Sequence, residues 1–241
     1  MGQDARAVTV LPAGPFPGTL AALAGTADAT SAAILHRGRL HLRHRSGRAQ
    51  HVRHLLPLLD ELLADLALAR TDLEAVAFAR GPGPFTAGRI VVATAQGLGL
   101  GLGVPLIPVS SLAASAWVAE CHQCAVALEA GRGEVYWGRF RRTSEGMEGV
   151  GEEQVAAPEA LALPGAGSGS WWGVGSGWSV AGEMLAARMG PALAGTSPEI
   201  SGEADAVAAL ALASWRDGAT LTSSQAVPTY LRASYAEESA G

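Results

Sequence analysis

Apolar residues fall at helical spacing most clearly where Val52, Leu55, Leu56, Leu59, Leu62, Leu63 and Leu66 recur along one stripe. Arg53, Asp60, Glu61 and Asp65 lie largely off it, so the segment predicts an amphipathic helix with one face turned to a core. Pro57 either sits in the first turn or kinks a helix that begins near His51. A shorter apolar run, Ala75-Val76-Ala77-Phe78-Ala79, predicts a buried strand. Gly81-Pro82-Gly83-Pro84 then stops it, because Pro donates no amide and Gly accepts positive φ. Thr86 is placed to cap a helix running to about Leu100, and a strand follows Gly103-Val104-Pro105. Strand, tight turn, helix, strand is an arrangement that collects free backbone amides at the helix N-terminus, where phosphates often bind.

Elsewhere the pattern is β-rich. Leu20–Ala24 predicts the first strand, with Gly25-Thr26-Ala27-Asp28 as its turn, and Ser31–His36 with Arg39–Arg45 predicts a hairpin around Arg37-Gly38. Residues 1–19, with Gly14-Pro15-Phe16-Pro17-Gly18, read as a mobile extension. Ser110-Ser111 caps a helix through Trp117. The second half repeats the plan weakly: strands over 125–129 and 134–140 joined at Gly131-Arg132-Gly133, a Gly/Pro-rich stretch from Pro164 to Gly177, helices near 180–189 and 204–214, and a terminal strand over 226–231. The expected division is 1–19, an N-terminal unit over 20–118 and a C-terminal unit over 119–241.

Composition narrows the chemistry. With 49% hydrophobic residues, 31 Gly and 16% charged residues in 241, the chain suits a compact α/β protein. No uninterrupted apolar run reaches membrane-spanning length and the N-terminus lacks a signal-peptide pattern, so the expected compartment is the cytoplasm, with no membrane partner. All 17 basic residues are Arg, which rules out a P-loop Lys and a Schiff-base amine. The net charge is −5, yet positions 36–54 hold six Arg and five of the six His without an acid. That stretch is either a basic face for RNA or an acidic partner, or ordinary solvated strand and helix residues.

Candidate chemistry is sparse. Cys121 and Cys124 form a lone C-x-x-C before a strand, with no second pair for zinc, so free cysteines are expected. His51 and His54 are expected at a surface or interface rather than on a metal. No G-x-S-x-G elbow exists, and Ser176, flanked by Gly, has no evident base. Arg132, Glu134 and Tyr136 either face a ligand or form an exposed Arg–Glu hairpin. Ala93, Gly97 and Gly101 make a stripe of small residues that admits another helix closely, from this chain or from a partner.

Several blocks together carry a resemblance. Gly81-Pro82-Gly83-Pro84-Phe85-Thr86-Ala87-Gly88-Arg89-Ile90, followed by a Gly/Ala-rich helix and Val109-Ser110-Ser111-Leu112, resembles the GPGSFTGLRIG…GVSSL hallmark of the TsaB (YeaZ) family, with Pro84 in place of Ser and Ala87-Gly88 in place of Gly-Leu. Gln50-His51-Val52-Arg53-His54-Leu55-Leu56-Pro57 is similar to its H-S-x-x-L-L-P helix. Glu129 to Trp137 is similar to its D-A-R-x-G-E-V-Y-W, and Val227 to Arg232 to its terminal P-x-Y-L-R.

The resemblance implies a duplicated actin/Hsp70/sugar-kinase fold, each half a mixed sheet with flanking helices. It implies a non-catalytic scaffold that pairs with the larger TsaD paralogue and works with the TsaE ATPase in placing threonylcarbamoyl on the tRNA adenosine beside the anticodon; alone, the chain is either a homodimer or a monomer. The implied partner residues are His51, Leu55, Leu59, Phe85, Thr86, Arg89, Ala93, Gly97 and Gly101; Gly81, Gly83, Arg132 and Glu134 are the implied nucleotide or tRNA contacts. Catalytic and metal-binding residues belong to the paralogue, and ADP or ATP is placed at the subunit junction rather than held tightly by this chain. Gly25 stands where the superfamily's first turn needs a carboxylate for Mg²⁺, with Asp28 in a different register, and Val174 supplies none in the second Gly-rich loop. This weighs against the alternatives, a stand-alone ATP-dependent kinase or hydrolase of the same fold and a glycoprotease-like peptidase.

Overall fold

A computed structural model describes residues 4–10, 16, 18–47, 51–165, 167, 169–170 and 171–232. The first sheet is built from β1 (Asp4–Val10), β2 (Thr19–Gly25), β3 (Ala29–His36), β4 (Arg39–Ser46), β5 (Ala75–Ala79) and β6 (Leu106–Val109), in the order β1-β4-β3-β2-β5-β6. The first four strands of that order run antiparallel to their neighbours, and β2, β5 and β6 are parallel. Helix α1 (His51–Asp65) connects β4 to β5, and α2 (Phe85–Leu102) connects β5 to β6.

Both faces of this sheet are covered, which explains why β2 and β5 read as unbroken apolar runs. Ala21, Leu23, Ile34, Val76 and Phe78 meet α1 and α2, whereas Leu20, Ala22, Ala24, Ala75 and Ala77 meet a helix from the far end of the chain, α5 (Ala204–Arg216). The alternation of these two sets along each strand is the period-two geometry of a pleated sheet.

The second sheet repeats the plan. Strands β7 (Gln123–Gly131) and β8 (Glu134–Thr143) form an antiparallel hairpin, and β11 (Trp171–Val174) and β12 (Leu193–Ser197) add parallel to β7. Beyond β8, the place of β4 is taken by two short strands on the same edge, β9 (Gly146–Gly149) and β10 (Gln154–Ala156). Helix α4 (Gly177–Met189) joins β11 to β12. The recurring antiparallel hairpin followed by two parallel strands is the duplicated α/β architecture of the actin/Hsp70/sugar-kinase fold.

The halves are interlocked rather than divided at 118/119. Helix α3 (Ser111–Val118), which follows β6, packs on β7 and β8, while α5, which follows β12, packs on the first sheet; α3 and α5 also touch each other. Ser31 Oγ accepts the Ala204 amide at 3.0 Å and pins the start of α5 to β3. Gly202 passes so close to α3 that a Cβ there would lie 2.4 Å from the Ala114 Cβ.

Four local expectations change. Residues 4–10, read as part of a mobile extension, form an edge strand against β4. Thr86 does not cap α2: Pro84 holds the N-cap position without a side-chain hydrogen bond, and Thr86 lies in the first turn. Residues 226–231 form no strand; Leu221 makes an isolated bridge to Leu106, and Thr229 donates its amide to the Arg80 carbonyl. Cys121 and Cys124 are joined in a disulfide, because the turn into β7 brings their Cα atoms to 6.1 Å. The expected cap at Ser110 is found: its Oγ accepts from the amides of Leu112 and Ala113.

Candidate partner face and interdomain cleft

Helix α2 buries Ala87, Val91, Val92, Ala95, Leu98 and Gly99 against the sheet, and Gly103, at φ +69°, terminates it in the left-handed conformation. Its opposite face is exposed along its whole length. Phe85 (61% exposed), Thr86, Arg89, Ala93, Gly97, Leu100 (80% exposed) and Gly101 all lie there. A Cβ built on Gly97 or Gly101 would meet nothing within 4 Å. Among the described residues, Gly97 and Gly101 of the small-residue stripe are therefore not spent on packing.

The C-terminal segment finishes this face. Arg89 donates from Nε to the Tyr230 hydroxyl at 2.8 Å, and its guanidinium lies 3.6 Å from the centroid of the Phe85 ring and 5.6 Å from that of Tyr230. Gln96 donates to the Ala226 carbonyl at 2.7 Å, and Ala226 is buried in the α1–α2 core. Farther on, Arg232 pairs with Glu134 at the start of β8. Residues 221–232 thus strap the first half to the second. No periodicity signals such a strap; the only trace in the sequence is the P-x-Y-L-R block.

Helix α1 presents a different face from the expected one. Leu55 and Leu59 are 1% and 0% exposed, packed with Leu58, Leu62 and Leu63 in the core, so they are not partner-facing residues. The stripe that defined the helix in sequence is the stripe that seeks burial. Among the described side chains of this helix, Arg53, Leu56, Pro57, Asp60, Ala64 and Asp65 are exposed, and Pro57 lies within it. His51 opens α1, but its side chain, like Arg48 and Gln50, lies outside the described residues.

Two arginines of the basic stretch are paired on folding. Arg43 pairs with Glu61 at 3.4 Å and Asp65 at 2.6 Å, and Arg45 pairs with Glu61 at 2.9 Å. Burial, then the charges of Arg39 and His36, pull the His41 imidazole below its ordinary range against a weaker opposing effect of Asp65. Arg37, Arg39 and Arg53 remain exposed. Acids distant in the local pattern, on α1, oppose bases on β4, and only the packing of helix on sheet brings them together.

Between the halves lies a cleft of about 490 Å³, lined by the Gly25–Ala29 turn, Gly83, Pro84, Ser111 and Ser115 on one side and Glu129, Ser176, Ser179, Glu199 and Gly202 on the other. Several hydroxyls already serve the framework: Ser176 Oγ accepts the Glu129 amide at 3.1 Å and Ser115 Oγ accepts the Gly202 amide at 3.0 Å. Asp28, excluded by register in the sequence, reaches this cleft. Its described lining mixes three acids (Asp28, Glu129, Glu199) with hydroxyls, glycines and apolar side chains such as Leu128 and Ile200, and includes no Arg. Gly83 lines the cleft; Gly81 (φ +92°) instead accepts the Ser111 amide at 3.0 Å and is overlain by Thr229, while Arg132 and Glu134 lie outside the lining, with Glu134 paired to Arg232. Among the described residues, no group of three or more His, Cys, Asp or Glu is placed to hold a metal ion, and no helix is long and apolar enough to cross a membrane.

One half-buried acid escaped the sequence reading. Ser110, besides capping α3, donates to Glu153 from the loop between β9 and β10. Burial pushes the Glu153 carboxyl above its ordinary value of 4.5, opposed by the Ser110 hydrogen bond and the Arg80 charge.

Comparison with known proteins agrees with this architecture. Residues 45–237 match the family model of TsaD, tRNA N6-adenosine threonylcarbamoyltransferase. The chain is 37% identical to the tRNA threonylcarbamoyladenosine biosynthesis protein TsaB of Haemophilus influenzae over 175 residues, covering 67% of this chain and 73% of that protein. It is 31% identical to the TsaB of Escherichia coli over 220 residues, covering 85% and 90%. The crystal structure of YeaZ from Pseudomonas aeruginosa superimposes with a TM-score of 0.82 at 34% identity, covering 89% of this chain and all (100%) of that one. Motifs, duplicated fold and relatives agree that this chain belongs to the TsaB (YeaZ) family.

Proposed function

We propose that this chain acts in tRNA threonylcarbamoyladenosine biosynthesis as a non-catalytic scaffold, pairing with a TsaD-like paralogue and working with a TsaE-like ATPase in the cytoplasm. The observation that carries the reading is the outer face of α2, where Phe85, Ala93, Leu100, Gly97 and Gly101 present an exposed, largely apolar, low-relief surface, with nothing among the described residues over Gly97 and Gly101. Such a face admits a partner helix at close range. The names of the relatives support the pathway, and a cleft lined by Asp28, Glu129 and Glu199 without an Arg supports leaving phosphate chemistry to the partner. In this reading tRNA is met through the complex, ADP or ATP lodges at the subunit junction, and a homodimer uses the same face when the partner is absent.

The test is co-expression with the TsaD-like paralogue of the same genome, followed by size-exclusion chromatography with light scattering. A one-to-one complex is expected. Gly97→Leu should weaken it while leaving the melting temperature of the isolated chain unchanged, since open space surrounds Gly97. Separate elution at micromolar concentration would overturn the scaffold reading and turn attention to Mg²⁺-ATP binding by this chain alone.

A further inference from the structure

The second sheet departs from the first at one edge. Where β4 runs unbroken along β3, its counterpart splits into β9 and β10, and residues 150–153 loop away from β8. Val150 still donates to the Arg139 carbonyl at 2.7 Å, so the break sits beside Arg139. The gap opens a pocket of about 490 Å³ lined by Arg80, Arg139, Phe140, Gly149, Gly151, Glu152, Glu153, Thr229 and Leu231. Its walls come from three places in the chain: the end of β5, the β8–β10 edge, and the C-terminal strap.

Arg80 and Arg139 are both half-buried here, and neither guanidinium has a hydrogen-bond or ion-pair partner among the described residues. Glu153 feels the charge of Arg80 but spends an oxygen on the Ser110 hydroxyl, and Glu152 stands exposed at the rim. Elsewhere in this protein half-buried arginines are paired, as Arg43, Arg45 and Arg232 are. Gly151, at φ +88°, leaves room for Arg139: a Cβ there would lie 2.9 Å from Nη2. Two unpaired guanidinium forks facing one concavity suit an oxyanion. The carboxylates and Thr229 beside them suit hydroxyl donors on the same ligand. The volume exceeds what a bare phosphate fills and falls within the range of small-ligand sites.

We propose that this pocket binds a ribose-phosphate-type group, with Arg80 and Arg139 on the phosphate and Glu152 and Thr229 on the sugar hydroxyls. The group comes either from a free sugar phosphate or from the backbone of an RNA strand. The site shares no lining residue with the interdomain cleft or with α2, and its test uses the isolated chain.

The experiment titrates the isolated full chain with ribose 5-phosphate by calorimetry and with a labelled single-stranded oligoribonucleotide by fluorescence anisotropy, both at low salt. Saturable binding of at least one is expected, and Arg80→Met or Arg139→Met should each weaken it about tenfold. Arg139→Lys, which keeps the charge but loses the fork, should also weaken it, whereas Arg216→Met on α5 should not. Binding of the oligonucleotide alone assigns the RNA backbone; binding of ribose 5-phosphate as well assigns a free phosphate ester. Melting curves confirm that each variant is folded. Failure of the wild-type chain to saturate with either ligand, or affinity unchanged in both Arg80→Met and Arg139→Lys, would overturn the site.

Discussion

The two halves share one strand plan but bury their sheets differently. Between β4 and β5 the first half inserts α1, fifteen residues long (15 res), beside α2. At the matching place, between β10 and β11, the second half has a single 3₁₀ turn at Pro158–Ala160 and a Gly-rich loop. Arg188 from α4 holds that loop by donating to the carbonyls of Pro158 and Leu161. The first half therefore carries a helix pair with a broad outer face, and the second carries one helix with a loop tied beneath it. Duplication preserved the sheet, which needs both faces covered, and left the choice of cover free. The face proposed for a partner falls in the half that has both helices.

Substitutions can break this contrast in order of effect. Leu59→Ala removes a fully buried α1 side chain and should cost about 2–5 kcal/mol in chemical denaturation, whereas Leu100→Ala on the exposed face should stay within about 0.5 kcal/mol and act on partner binding instead. Arg188→Ala releases the loop that stands in for a helix and should cost about 1 kcal/mol, read as a lowered midpoint in urea with an unchanged slope. Arg43→Ala removes two partly exposed ion pairs of the α1–β4 contact; its cost should be at most about 1 kcal/mol and should shrink as salt is added.

The smallest effect is a pH dependence at Glu153. Its folded carboxyl holds a proton more tightly than the unfolded one, so its contribution favours folding below the ordinary carboxylate pKa and is lost as pH rises through the raised value. Glu153→Gln should remove that slope, leaving the variant's melting temperature flatter than the wild type's between acid and neutral pH. A wild-type curve without such a slope would show that Ser110 and Arg80 fully offset the burial.

Much of the framework was legible because it is local. The α1 stripe, the buried β5 run, the Gly-Pro stop before α2, the Arg37-Gly38 hairpin and the Ser110 cap each rest on neighbours within a few residues. The proposed partner face was half legible for the same reason: spacing places Ala93, Gly97 and Gly101 on one line, but Leu55 and Leu59 belong to the opposite side of their helix, the side a sheet takes first.

What the amino-acid order determined alone was therefore the element types, the tight turns and, through several separated motifs, the family. Tertiary structure decided the rest, because each remaining feature joins residues far apart in the chain. The pairing of Arg43 and Arg45 with α1 acids neutralised part of a basic stretch that the linear sequence displays. The exchange of α3 and α5 between halves replaced a boundary at 118/119 with an interlock. The strap carried Tyr230 to Arg89 and Arg232 to Glu134. Local propensity reaches only a few residues, whereas charge neutralisation and burial act on whatever the closed fold brings into contact.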